Sequence, residues 1–153
     1  MTKLFVKKEV DINAPAIRVW DVLTKPEYTD QWAPEFVGGE AEFHIESDWK
    51  MGSPVLWKNE EGKVLVEGNV TAIQPNKLLR FTVFDSRSTK PKVKEEDGIT
   101  YVLDSGDHTT TLRVTHGDFS VLKEGERYHN MSEQVWNKVL PKVKQIAETR
   151  DDS

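Results

Sequence analysis

The sequence predicts an α+β domain in which a curved antiparallel sheet grips a long C-terminal helix. Three observations lead there. A half-buried strand opens the chain, and two short helices, each marked by a proline, follow it directly. Six further strands then run with no helix between them. Only after about Glu124 does the apolar period change from two to three or four. Strands and helices therefore do not alternate, which excludes a doubly wound parallel sheet. The order β-α-α-β-β-β-β-β-β-α calls instead for an antiparallel sheet curled around the last helix, with the two short helices closing one end.

Each element has its own signal. Leu4, Val6, Val10 and Ile12 alternate with polar residues, as a half-buried strand requires. Lys8 breaks that inward phase: either a bulge resets the register, or its stem snorkels to the sheet edge. Pro15 stands at a helix start, where its missing N–H costs nothing. Ile17, Trp20 and Leu23, with Val19 beside them, recur at helical spacing. Pro26 restarts a second helix that closes at Trp32, and residues 33–39 read as a linker ending in Gly38-Gly39. Five strands come next in quick succession: Ala41, Phe43 and Ile45; Ser53, Val55 and Trp57; Val64, Val66, Val70 and Ala72; Leu79, Phe81 and Val83; and, after a long loop from Ser86 to Gly98, Ile99, Tyr101 and Leu103. Asn59 to Gly62 is a hairpin loop, and Gly68 marks a bend or bulge within its strand. Leu112, Val114 and His116 form the inward face of the last strand. The final helix, from about Glu124 to Thr149, is expected to turn Met131, Val135, Val139, Val143 and Ile146 toward the sheet. Pro141 within it should bend the preceding turn. Residues 1–150 are expected to form one domain, with 151–153 fraying.

Composition narrows the chemistry. The chain has no cysteine, which excludes disulfides, thiolate metal sites and a cysteine nucleophile, and fits a reducing compartment. A net charge of −5 with scattered basic residues argues against a nucleic-acid partner. No window approaches the roughly 18 apolar residues of a membrane span, and the N-terminus lacks the apolar core of a signal peptide. The expected location is the cytoplasm. The four histidines, His44, His108, His116 and His129, show no metal-ligand spacing, and there is no nucleophile elbow or phosphate loop. No catalytic residue, metal or cofactor is assigned on these grounds, and the balance leans away from an enzyme.

The segment Ile12-Asn-Ala-Pro15 with Val19-Trp20, then Thr24-Lys-Pro-Glu27 and Trp32, resembles the opening of the START-like or SRPBCC superfamily. Within it, the branch named for homologues of the heat shock protein 90 ATPase activator is the most similar. Trp49-Lys-Met-Gly52-Ser53, Val70 to Pro75 with Leu78-Leu79, Thr111 to His116 and a final helix containing Trp136 extend the resemblance in order along the chain. It implies a helix-grip fold with an apolar cavity between sheet and helix. It also implies binding of a small hydrophobic ligand, aromatic or lipid-like. Two alternatives follow from relatives: a cyclase, aromatase or hydrolase acting on a polyketide-like substrate, and a co-chaperone that binds a protein partner. In the eukaryotic activator the matching domain works beside a separate N-terminal domain, for which this chain leaves no room, so chaperone stimulation ranks last. The oligomeric state is not set by the sequence.

In that architecture the expected ligand-binding set is Trp32, Phe36, Phe43, Trp57, Phe81, Tyr101, His116, Met131 and Val135. The rings fall on inward strand phases or at the closing end, where they serve equally as plain core. His116 reads either as a core histidine satisfied by a backbone carbonyl or as a polar group in the cavity wall. Tyr101 is open to the same two readings, since a buried tyrosine needs a partner for its hydroxyl. Trp20 and Trp136, among aliphatic neighbours, read as structural.

Overall fold

The computed structural model describes residues 4–37, 42–82, 84–85, 98–117, 119 and 125–149. Gly38, Gly39, Ala41, Val83, the loop from Ser86 as far as residue 97, Glu124 and the C-terminal tail lie outside the described residues.

The element order is the expected one with two additions, a 3₁₀ helix after the second helix and one further strand of two residues. Strand β1 (Val6–Ile12) is followed by helices α1 (Ala16–Thr24) and α2 (Pro26–Trp32), then by β2 (Phe43–Glu46), β3 (Pro54–Asn59), β4 (Val64–Gln74) and β5 (Leu78–Thr82). A two-residue strand β6 (Phe84–Asp85), β7 (Gly98–Ser105) and β8 (Thr110–Gly117) complete the sheet, and α3 (Gly125–Glu148) ends the chain. The strands pair antiparallel in the order β1-β8-β7-β5-β4-β3-β2, with β6 pairing beside them on β4. The first strand thus lies at one edge and the second at the other. Helix α3 packs on β1, α1 and α2, and the fold is a half-barrel gripping a helix.

Both prolines act as helix starters. Pro15 precedes α1 with φ −70°, and its carbonyl accepts from the N–H groups of Arg18 and Val19 at 3.0 and 3.2 Å. Pro26 is the first residue of α2. The segment after Trp32 is not a plain linker: Ala33–Val37 forms a 3₁₀ helix, and Lys142 of α3 holds it through Glu35 at 2.6 Å. On α1 the buried residues are Val19, Val22, Leu23 and Thr24, whereas Ile17 is 61% exposed and Trp20 is only partly buried. The apolar face is therefore rotated from the Ile17-Trp20-Leu23 series. Arg18 leaves this helix to bond the end of α3. Its guanidinium donates to the carbonyls of Ile146 and Thr149, both at 2.9 Å, and lies over the ring of Tyr28. A cation there satisfies carbonyls that the helix end leaves without partners.

The sheet keeps its predicted phases except where it bulges. Two inward rows cross it from strand to strand: Val70, Phe81, Ile99, His116 and Val6, then Ile73, Leu79, Tyr101, Val114 and Lys8. The register of β1 on β8 is unbroken through Lys8, whose ammonium reaches Glu133 of α3 at 3.3 Å. Lys8 therefore snorkels from an edge strand, and no bulge is involved. In β4 the register shifts between Val70 and Ala72 and again opposite Trp57 and Lys58. Each shift reverses the alternation, so Ile73 rather than Ala72 pairs with buried Leu79, and Val64 pairs with Lys58 rather than sharing the face of Val66.

Helix α3 departs most from expectation. Its buried face is Trp136, Val139, Leu140, Val143 and Ala147; Val135 and Ile146 flank it, and Met131 is 53% exposed. Pro141 lies inside the helix on its exposed side.

Candidate functional site

Inward strand phases and the buried face of α3 bring a continuous series of rings together. Phe43 of β2 meets Trp57 of β3 with centroids 5.5 Å apart, and Phe36 of the 3₁₀ helix stands edge-on to Trp57 at 4.9 Å and to Trp136 at 5.2 Å. From Trp136 the series forks. One arm runs through Tyr101 at 6.1 Å and Phe81 to Trp49. The other passes through His116 at 6.3 Å to Phe119 and His129. Tilted and edge-to-face contacts set the positive edge of one ring on the negative face of the next, the arrangement that the ring quadrupole favours.

Of the residues expected to bind a ligand, Phe36, Phe43, Trp57, Phe81, Tyr101 and His116 belong to this series. Trp32 lies beside it: its ring is 6.4 Å from Phe36, but its indole N–H donates to the Val22 carbonyl at 2.8 Å and ties α2 to α1. Val135 is partly buried against the core. Met131 projects away from the interior and does not join the set. Four members lie outside the expected set: Trp136, Trp49, Phe119 and His129. Trp136 is the hub of the series. Trp49 sits at φ +52° with its indole N–H donating to the Thr24 carbonyl at 2.9 Å, and Phe119 covers His116. The helical period around Trp136 is the available signal for the first, and His129 lies on the same helix; Trp49 and Phe119 lie in loops, where no period operates.

The polar groups in the series are few. The Trp136 indole N–H donates to His116 Nδ1 at 3.2 Å, so the partner is a side chain and not a backbone carbonyl. An indole can only donate, so Nδ1 is the bare nitrogen and the imidazole proton sits on Nε2. Although part of the residue reaches the surface, burial of the ring pushes its pKa down to about 3. The Tyr101 hydroxyl and Trp57 Nε1 are buried with no hydrogen-bond partner among the described residues, and burial holds the Tyr101 pKa well above that of an ordinary phenol. At the other end of the sheet, His44 Nδ1 meets Asp30 at 2.8 Å and Nε2 meets Glu42 at 3.5 Å, and the Asp30 hydrogen bond raises its pKa. Among the described residues no group of histidines and carboxylates has the geometry to hold a metal ion, and no helix is long and apolar enough to cross a membrane.

These two histidines give opposite pH dependences. His116 is protonated in the unfolded chain below about pH 6.5 but stays neutral in the fold until about pH 3. Its contribution is complete above 6.5 and is lost as pH falls through that window, with a slope of up to about 1.4 kcal/mol per pH unit. His44, with its pKa raised, contributes below 6.5 and loses that contribution as pH rises past its folded value; being largely solvated, it contributes little. Urea unfolding of wild type and His116→Asn should therefore show the smaller loss on acidification in the variant. Identical pH profiles would mean that His116 is not held neutral.

The family of Activator of Hsp90 ATPase homolog 1-like proteins matches residues 13–148, from the turn before α1 to the end of α3. The chain belongs to that family. No curated protein matches it. Solved structures similar to this Activator of Hsp90 ATPase homolog 1-like chain include a protein from Cytophaga hutchinsonii, 27% identical, with 97% of each chain covered and a TM-score of 0.70. A protein from Mesorhizobium loti is 20% identical over 96% of this chain and 98% of its own, at 0.75. The Aha1 dimer from Colwellia psychrerythraea is 18% identical over 95% and 96%, at 0.71. The last two likenesses establish the fold.

Proposed function

We propose that the chain binds a small hydrophobic molecule, aromatic or lipid-like, between the sheet and α3. The observation that carries this reading is the unbroken ring series beneath α3, from Phe43 through Trp57, Phe36 and Trp136 to His116 and Phe119. Edge-on aromatic surface is what an apolar ligand exchanges for water. The rings touch one another, so a ligand enters by parting them. Phe36 is the ring suited to move. It is only partly buried, it is carried by a short 3₁₀ helix rather than by the sheet, and it stands between two indoles. Displacing it breaks two edge-on contacts worth about 0.5–1.5 kcal/mol each beyond their buried area, which the ligand then replaces.

An enzymatic role on a polyketide-like substrate is less well supported by the same residues. An imidazole with its pKa near 3 is a poor general base at neutral pH, and its bare nitrogen is already occupied by Trp136. A co-chaperone role would need a surface, and the ring series is interior: Trp136, Tyr101 and Trp57 are all buried.

Titration with a panel of aromatic and lipid-like ligands, followed by amide chemical shifts, tests the reading. Shifts are expected at Phe36, Phe43, Trp57, Trp136 and His116. A broad panel that moves none of them would overturn it.

A further inference from the structure

Two hydrogen-bond donors in the ring series have nothing to donate to among the described residues. Trp57 and Tyr101 are 3% and 1% exposed, and there neither the indole N–H of the first nor the hydroxyl of the second has a partner. Folded interiors seldom keep such groups, because water lost from them is not replaced. The indole is a donor only, and the phenol donates readily. His116 presents the same polarity: with Nδ1 filled by Trp136 its hydrogen is on Nε2, and among the described residues Trp136 is its only hydrogen-bond partner. In the two inward rows of the sheet the one cationic side chain is Lys8, and it is paired with Glu133.

We infer that Trp57 and Tyr101 are specificity-determining donors, and that they select a neutral ligand whose hydrophobic frame carries an acceptor oxygen, as in a ketone, ether or ester. A pure hydrocarbon leaves both donors unpaired. A carboxylate satisfies them but buries a charge without a counter-charge, which costs more than the hydrogen bonds return. The inference rests on the ligand-binding reading above and adds the polarity of what is bound.

Three probes of one shape separate the possibilities: fluorene, fluorenone and fluorene carboxylate, titrated into wild type, Tyr101→Phe and Trp57→Phe and followed by amide shifts. In wild type fluorenone should bind about tenfold more tightly than fluorene, the ratio one buried hydrogen bond supports, and the carboxylate should bind least. Each variant should lose several-fold of the ratio of fluorenone to fluorene affinity, a readout that a general change of ring surface, weakening both probes alike, does not move. Tyr101→Phe keeps the ring and deletes an unpaired hydroxyl, so it should melt at or above the wild-type temperature, which guards against loss of fold. Equal affinity for ketone and hydrocarbon in wild type, or a preference that survives in both variants, overturns this inference and leaves the binding reading standing. Absence of binding by all three probes overturns both.

Discussion

Trp136→Ala is expected to cost about 3–5 kcal/mol of folding stability, the range for removing a buried aromatic side chain. Trp136 is fully buried on the inner face of α3 and joins the arms of the ring series through Phe36, Tyr101 and His116. Alanine leaves a cavity among rings fixed to separate strands, which cannot all collapse into it. It also strips His116 Nδ1 of its donor, and an unpaired buried acceptor adds about 1–3 kcal/mol. Trp136→Phe divides the two terms, since it restores most of the volume and none of the hydrogen bond. Urea unfolding should order the stabilities wild type, then Trp136→Phe, then Trp136→Ala. A loss below about 1 kcal/mol for the alanine variant would remove Trp136 from the core. Trp20→Ala should cost less, because Trp20 is only partly buried at the margin of the core.

The face that α3 buries is rotated from the one its apolar spacing predicts. Met131, Val135, Val139 and Val143 are spaced by four, and each step of four overshoots a full turn by about 40°. Such a series drifts around the helix, so its start and its middle face different ways. The buried set, Trp136, Val139, Leu140, Val143 and Ala147, alternates steps of three, one, three and four and stays on one side. Repeated steps of three mislead in the same manner on α1, where Ile17 and Leu23 end far apart around the axis and Ile17 reaches solvent. Strand periodicity has no such drift. Phe43, Trp57, Phe81, Tyr101 and His116 all lie on their predicted inward faces, because alternate side chains of a strand point to opposite sides by construction. It fails only where a bulge inserts a residue, as at Ala72 and Val64, and nothing in the local composition marks either insertion. The chemistry of the site was less legible. That Trp57 and Tyr101 are unpaired among the described residues, and that His116 takes its hydrogen bond from Trp136, depends on which side chains the folded sheet and helix bring together, which local pattern does not encode.

Gly68→Ala should be the most damaging conservative substitution in the sheet. A Cβ on Gly68 would stand 1.7 Å from the Thr82 carbonyl oxygen and 2.5 Å from its carbon, in backbone that cannot swing aside. The same crowding recurs across β5, where a Cβ on Gly98 would meet the Phe81 carbonyl oxygen at 2.2 Å. The end of β5 is thus pressed between two glycines, one on β4 and one on β7, and the Asn69 N–H donates to the Thr82 hydroxyl at 2.9 Å in the gap. Phe81, which packs on both Trp49 and Tyr101, is positioned by this close approach. Relieving the clash requires β4 and β5 to separate by more than about 1 Å, which breaks their pairing; the cost should exceed about 4 kcal/mol, the threshold at which a single substitution points to a specific structural violation. Gly62→Ala supplies the contrast. Gly62 sits in the β3–β4 hairpin at φ +81° with nothing within 4 Å of its would-be Cβ, so only the left-handed conformation is penalised, at about 1–2 kcal/mol. Thermal melts of the two variants should therefore differ widely although both change glycine to alanine. If Gly68→Ala melts no lower than Gly62→Ala, then β4 and β5 do not approach this closely, and Phe81 owes its place among the rings to something other than the two glycines.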